Sequence, residues 1–142
     1  MTDAFVHMPI TVIAFDYGTK RVGVAVGNSV TKIGQALKAI VAPSSDALFR
    51  EIQGLVKEWQ PNVLVVGRPV HPDGGEHEMT VKATRFGNQL QGRLNLPVAW
   101  VDERYSSVIL EGNTKMRDNL DAHTAALLLE QYFAEMPPSE ID

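Results

Sequence analysis

The chain of 142 residues contains no cysteine, which excludes disulfide staples and thiolate-held zinc. It has no apolar run near the ~20 residues that span a bilayer. Its start, MTDAFVHMP, shows no basic segment leading into an apolar one, so a signal peptide is not expected there. These absences predict a cytoplasmic protein with no membrane attachment. An excess of base is missing too: 13 Lys and Arg stand against 17 Asp and Glu, for a net charge of −4. That disfavours a protein that coats nucleic acid through bulk electrostatics, but not an enzyme with a few local bases around an acidic centre. What is present is ordinary for a globular chain, with 44% apolar and 21% charged residues. The length suits one core and leaves little for a second. The expectation is a single domain over 1–142, with a core at 9–135 and tails at 1–8 and 136–142.

Residues 10–16, ITVIAFD, form a nearly continuous apolar run, the pattern of a strand buried on both faces. A short link containing Gly18 leads into RVGVAVG at 21–27, which predicts an antiparallel hairpin. A third strand is expected within 32–42. The period then changes. Ser44, Ser45 and Asp46 offer caps for a helix, and Leu48, Ile52, Leu55 and Trp59 share one face until Pro61 stops it. NVLVVG at 62–67 is a short buried strand, and RPVHPDGGEH at 68–77 is a loop by composition. Met79, Ala83, Phe86, Leu90 and Leu94 mark a second amphipathic helix, LPVAWVD at 96–102 a strand, and AHTAALLLEQYF at 122–133 a last helix. Helical crossovers make the strands at 62–67 and 96–102 parallel. If the first strand is parallel to them, all three end at one sheet edge, where open α/β folds place their chemistry.

Asp16, Gly67-Arg68-Pro69 and Asp102-Glu103-Arg104 would share that edge. Each has a plain structural account beside the functional one. Asp16 before a glycine turn is a turn former or a metal-ligating carboxylate. Gly23, inside a strand, marks a bulge or a close approach to the backbone by a group such as a phosphate, and adjacent Lys20 and Arg21 favour the second. Asp102 and Glu103 suit a helix start or, at Glu103, a metal. Arg104 is a surface partner or a grip on phosphate. Asp121 would be explained as the N-cap of the last helix, unless Asp118 caps it and leaves Asp121 facing the site. His71 and His77, in a glycine-rich loop, are not counted as ligands. Three carboxylates at one edge repel unless cations neutralise them. Hard oxygen donors select Mg2+ or Mn2+, and two such ions ~3.5–4 Å apart are the usual apparatus of in-line phosphodiester cleavage.

Four segments carry a further pattern: D-Y-G-T-K-R-V-G-V-A at 16–25, V-V-G-R-P-V-H-P-D-G at 65–74, D-E-R-Y-S-S at 102–107 and D-A-H-T-A-A-L-L-L-E-Q-Y-F at 121–133. Together they resemble the YqgF family, also called RuvX, of RuvC-like nucleases, and they span nearly the whole chain in the family's order. The resemblance implies an α/β, RNase H-like three-layer fold. Its mixed five-stranded sheet would have the first three strands antiparallel and strands 1, 4 and 5 parallel, with helices on its faces. The resemblance also implies a metal-dependent nuclease that matures the 5′ end of precursor 16S rRNA, with Holliday-junction resolution as the alternative. Carried over by motif, Asp16, Glu103 and Asp121 would be the catalytic, metal-binding acids and Asp102 a helper. Arg21, Arg68 and Arg104 would contact phosphate, and Lys20, Gly23 and Ser106 complete that set. Two departures stand out. Ser106 and Ser107 replace the family's threonines but keep the hydroxyls. The 17 residues 104–120 between Glu103 and Asp121 are fewer than is common, and the basic run there is reduced to Lys115, Met116 and Arg117, which puts a helix after the fifth strand in doubt.

Two other classes compete. Asp16-Tyr17-Gly18-Thr19 is similar to the phosphate-holding hairpin of actin-like ATPases and sugar kinases, which need two such domains where this chain supplies one. A non-catalytic RNA-binding or ribosome-assembly module would keep the fold, although retention of all three acids argues against a decayed site. The expected partners are precursor rRNA first, branched DNA second, and ribosomal assembly intermediates. The chain itself is expected to be a monomer or weak dimer.

Overall fold

The computed structural model describes residues 9–18, 20–69, 78–103 and 117–135, with the backbone alone at 117–120. Arg104, Ser106, Ser107, Lys115, Met116, His71 and His77 lie outside the described residues. The strands are β1 (Thr11–Tyr17), β2 (Val22–Asn28), β3 (Gly34–Ile40), β4 (Val63–Pro69) and β5 (Val98–Glu103). The helices are α1 (Ser45–Trp59), α2 (Glu78–Leu94) and α3 (Arg117–Glu135). The sheet runs β3-β2-β1-β4-β5. β1 is antiparallel to β2, β2 is antiparallel to β3, and β1, β4 and β5 are mutually parallel along the sheet. This is the mixed five-stranded sheet that the family resemblance implies.

β1 is central because it is apolar on both sides: Val12, Ile13, Ala14 and Phe15 are fully buried. Strand alternation divides them. Ile13 and Phe15 pack with Phe49 and Ile52 of α1 and Phe86 and Leu90 of α2. Val12 and Ala14 pack with Ala125, Leu128, Leu129 and Phe133 of α3. Among the described residues, the sheet is therefore sandwiched between two helices on one face and one on the other. α1 starts as its sequence suggests: the Ser44 side chain accepts the Ala47 N–H at 3.1 Å. It ends at Gln60, which adopts a left-handed conformation at φ 48° and donates its N–H to the Val56 carbonyl, just before Pro61.

α3 corrects the capping expectation. It begins at Arg117, so Asp118 and Asp121 both lie within the helix and Asp121 falls in its second turn. The apolar pattern that marks the helix starts only at Ala122, so the polar first turn is invisible to periodicity. A second correction concerns Gly23. A close approach to its backbone is present, but the group that makes it is the Asp121 carbonyl of α3, which a Cβ on residue 23 would strike. Gly34 bears the same relation to the Ala126 carbonyl. The two glycines let α3 lie directly on β2 and β3, and packing accounts for Gly23 without any phosphate.

This contact separates two glycine substitutions. Gly23→Ala should destabilise the protein by roughly 1–3 kcal/mol, because the helix backbone cannot yield to the methyl group. Gly54→Ala, on α1 with open space around its Cβ position, should stabilise it by roughly 0.5–1 kcal/mol. Urea unfolding midpoints of the two variants test both signs.

Candidate active site

Alternation along β1 places Asp16 on the α3 face, in line with Val12 and Ala14. The same rule places Glu103, two residues beyond Val101, on that face at the end of β5. β4 lies between these two strands, and its residue at this level is Gly67. A Cβ on residue 67 would stand 2.8 Å from Glu103 Oε2. The missing side chain is what lets the Glu103 carboxyl lie across β4 and hydrogen-bond with Asp16. Gly67 is thus a functional position that sequence reading placed at the edge without a role. Its signal was a glycine interrupting an apolar strand.

The pair is electrostatically frustrated. Burial, foremost, raises the Asp16 carboxyl well above the usual carboxylate range, and the neighbouring Glu103 charge, their hydrogen bond and the Asp121 charge push it the same way. Burial also raises Glu103, against the lowering effect of the hydrogen bond from Asp16. The hydrogen bond between them requires that the pair retain a proton, which belongs to the dyad rather than to either acid. Asp121 is near enough to act on Asp16 but is itself engaged: Arg21 Nε donates to Asp121 Oδ2 at 3.0 Å. Among the described residues, no three acidic or histidine side chains are gathered into a ready ligand set. The arrangement is a proton-sharing pair with a third acid drawn aside by an arginine.

The donor chemistry nonetheless fits a hard divalent cation. Two half-buried carboxyls that share a hydrogen bond form a site whose charge is unbalanced as soon as both ionise, and a cation restores that balance. Other expected residues are placed differently. Arg68 lies on the opposite sheet face, its guanidinium 5.0 Å from the centre of the Trp100 ring. Asp102 alternates with Glu103 and so also points away from the Asp16 face. Lys20 is exposed in the turn between β1 and β2. The edge therefore gathers Asp16, Glu103, Asp121 and Arg21, and separates Arg68 and Asp102 from them.

A raised carboxyl fixes the sign of a pH effect. Its protonated form is favoured by the fold, so stability is greatest at low pH and falls as pH rises from the ordinary carboxylate range through the raised value of Asp16. In EDTA, Asp16→Asn should therefore raise the melting temperature at pH 8 by a few degrees, about what 1 kcal/mol brings in a chain of this size. The advantage should shrink as the pH is lowered toward 4. Mg2+ or Mn2+ should stabilise the unsubstituted protein more than the variant. Equal melting curves at all pH values would show that the pair is not strained.

Residues 10–135 match the family described as "RuvX: Holliday junction resolvase". A protein of Polynucleobacter necessarius subsp. necessarius (strain STIR1), named "Putative pre-16S rRNA nuclease", is 71% identical over 128 residues, covering 90% of this chain and 87% of that one. A protein of the same name from Paraburkholderia xenovorans (strain LB400) is 55% identical over 127 residues, 86% of each chain. Among solved structures, T. thermophilus RuvC in complex with a Holliday junction substrate is similar with a TM-score of 0.55 at 14% identity, over 88% of this chain and 94% of that one. The fowlpox virus Holliday junction resolvase gives a TM-score of 0.52 at 14% identity, over 89% of this chain and all of that one. At these identities the structural likeness establishes a RuvC-like fold. The family match over the described sheet and helices settles the lineage: the chain belongs to the RuvX family.

Proposed function

We propose that the protein is an endonuclease that hydrolyses phosphodiester bonds and trims the 5′ end of precursor 16S rRNA in the cytoplasm. The observation that carries this reading is the half-buried Asp16–Glu103 pair, meeting over Gly67 at the C-terminal edge of three parallel strands. Family membership and the names of the relatives supply the substrate class. A Mg2+ or Mn2+ ion, or two, held by Asp16, Glu103 and Asp121 would neutralise these acids and the charge that develops on the phosphate.

The chain's own groups divide the remaining work. Asp16 and Glu103, carried on strand ends, supply oxygen donors that a cation would take over in place of the proton they share. Arg21 holds Asp121 at the margin of the pair, its Nε donating to the carboxylate. Lys20, exposed in the hairpin turn, offers a charge to an incoming phosphate. Arg104 and Ser106 join it by family motif, directly after Glu103 in the chain. A second reading, resolution of branched DNA, is supported by the RuvC-like fold and the family's description. Among the described residues no helix is long and apolar enough to cross a membrane.

The deciding experiment is a cleavage assay on precursor 16S rRNA and on a four-way DNA junction, with Mg2+, Mn2+ or EDTA. Cleavage of the RNA should need the metal. Asp16→Asn, Glu103→Gln and Asp121→Asn should each lower the rate by about 10²–10³-fold, the scale lost when one preorganised electrostatic group is removed. An undiminished variant removes that residue from the site. RNA binding without cleavage under either metal would replace the nuclease with a binding module.

A further inference from the structure

We propose that a trough on the far side of Tyr17 from the acidic pair holds an unpaired stretch of the nucleic-acid substrate next to the scissile bond. This rests on the reading of the Asp16 edge as the place of cleavage and adds where the strand goes from there. Alternation along β1 sends Tyr17 to the sheet face opposite Asp16, where its ring stacks on Phe86 with centroids 4.7 Å apart. Tyr17 borders two hollows. One, of about 410 Å³, is lined by Tyr17, Ser45, Lys82, Arg85, Phe86 and Gln89. The other, of about 200 Å³, runs from Tyr17 back past Lys20 and Gly18 of the hairpin turn and Ser44 and Ser45 of α1. Tyr17 and Ser45 are common to both, so the two make one trough from the turn to α2.

The lining matches a single strand. Lys82, Arg85 and Gln89 are spaced three and four apart and so stand in one row on α2. With Lys20 they put three bases along a trough in a chain whose net charge is −4. Lys82 is paired with Glu78 at 2.9 Å, but the Glu78 side chain is 79% exposed, so a phosphate can take its place without leaving a buried charge. Buried Phe86 forms an apolar floor beside the Tyr17 ring. Bases that follow a backbone, beside an aromatic ring and amide and hydroxyl groups that bond bases, are the features that bind unpaired nucleic acid. A paired base has its faces already stacked and cannot use the ring. Position supports the same occupant. Asp16 and Tyr17 are adjacent, with Cα atoms ~3.8 Å apart. A strand with its phosphate at the acidic pair therefore meets Tyr17 as it crosses the sheet edge.

The test uses the full chain in EDTA, so that nothing is cut, and a fluorescein-labelled ten-nucleotide oligouridine followed by anisotropy. Lys82→Gln with Arg85→Gln should weaken binding about tenfold and lower the slope of log affinity against log salt by about 1.4, since each contact to a single strand contributes about 0.7. Arg50→Gln with Lys57→Gln, an equal charge change at exposed positions of α1, should leave both quantities unchanged. Tyr17→Leu should weaken binding without changing the slope, and melting curves show whether it remains folded. A trough variant that binds like the unsubstituted protein, or a control pair that weakens binding equally, overturns the proposal. So does a hexaglutamate peptide that displaces the RNA as well as unlabelled oligouridine does, which would make the trough a dock for acidic protein. Binding that depends on Lys82 and Arg85 in a protein that never cleaves refutes the nuclease reading alone. Normal cleavage with trough-independent binding refutes this inference alone.

Discussion

The site depends on two half-buried carboxyls brought close enough to share a hydrogen bond, which opposes both being charged at once. Asp16 and Glu103 come from the ends of β1 and β5, and β4 runs between them. They meet only because residue 67 has no side chain. The parallel order of β1, β4 and β5 brings the strand ends level, alternation aims both acids at one face, and the glycine opens the gap. The frustration is local, because the apolar faces of β1 anchor the strand far more strongly than the repulsion disturbs it.

Much of the fold was visible in the sequence. Continuous apolar runs identified β1 and β4, and the helical period together with Ser44 and Pro61 bounded α1 to within a residue or two. Parallel strands follow from the crossover helices, and the shared edge follows from them. The strand order and the place of each helix layer do not follow from periodicity. They depend on which faces complement one another in volume, and the family resemblance supplied what the pattern could not. The start of α3 was hidden because its first turn carries no apolar stripe. That one boundary changed Asp121 from a cap into an acid held within the helix.

The site was legible by residue type and less so by partner. Strand ends made Asp16 and Glu103 candidates beside plain turn and helix-start readings, and the family resemblance chose between them. Arg21 sits next to a hairpin turn and looked like a phosphate contact, yet it holds an acid 100 positions away. Pairing over such a separation leaves no mark on local sequence. Arg68 and Asp102 misled for a simpler reason. Adjacent positions on a strand face opposite ways, so a run such as Asp102-Glu103 cannot deliver both carboxylates to one side. Gly23 gave a true signal of close approach with the wrong visitor, because a glycine in a strand announces a neighbour without naming it.

The placement of Asp121 on α3 also gives the site a history. In chain order the five strands, α1 and α2, with two of the three acids, all precede α3. The third arrives only with the segment that also covers Val12, Ala14 and Val65 and settles onto Gly23. Closing the core and completing the acidic edge are thus one event, the docking of α3. A nascent chain cannot carry the finished centre while half of its sheet is still bare.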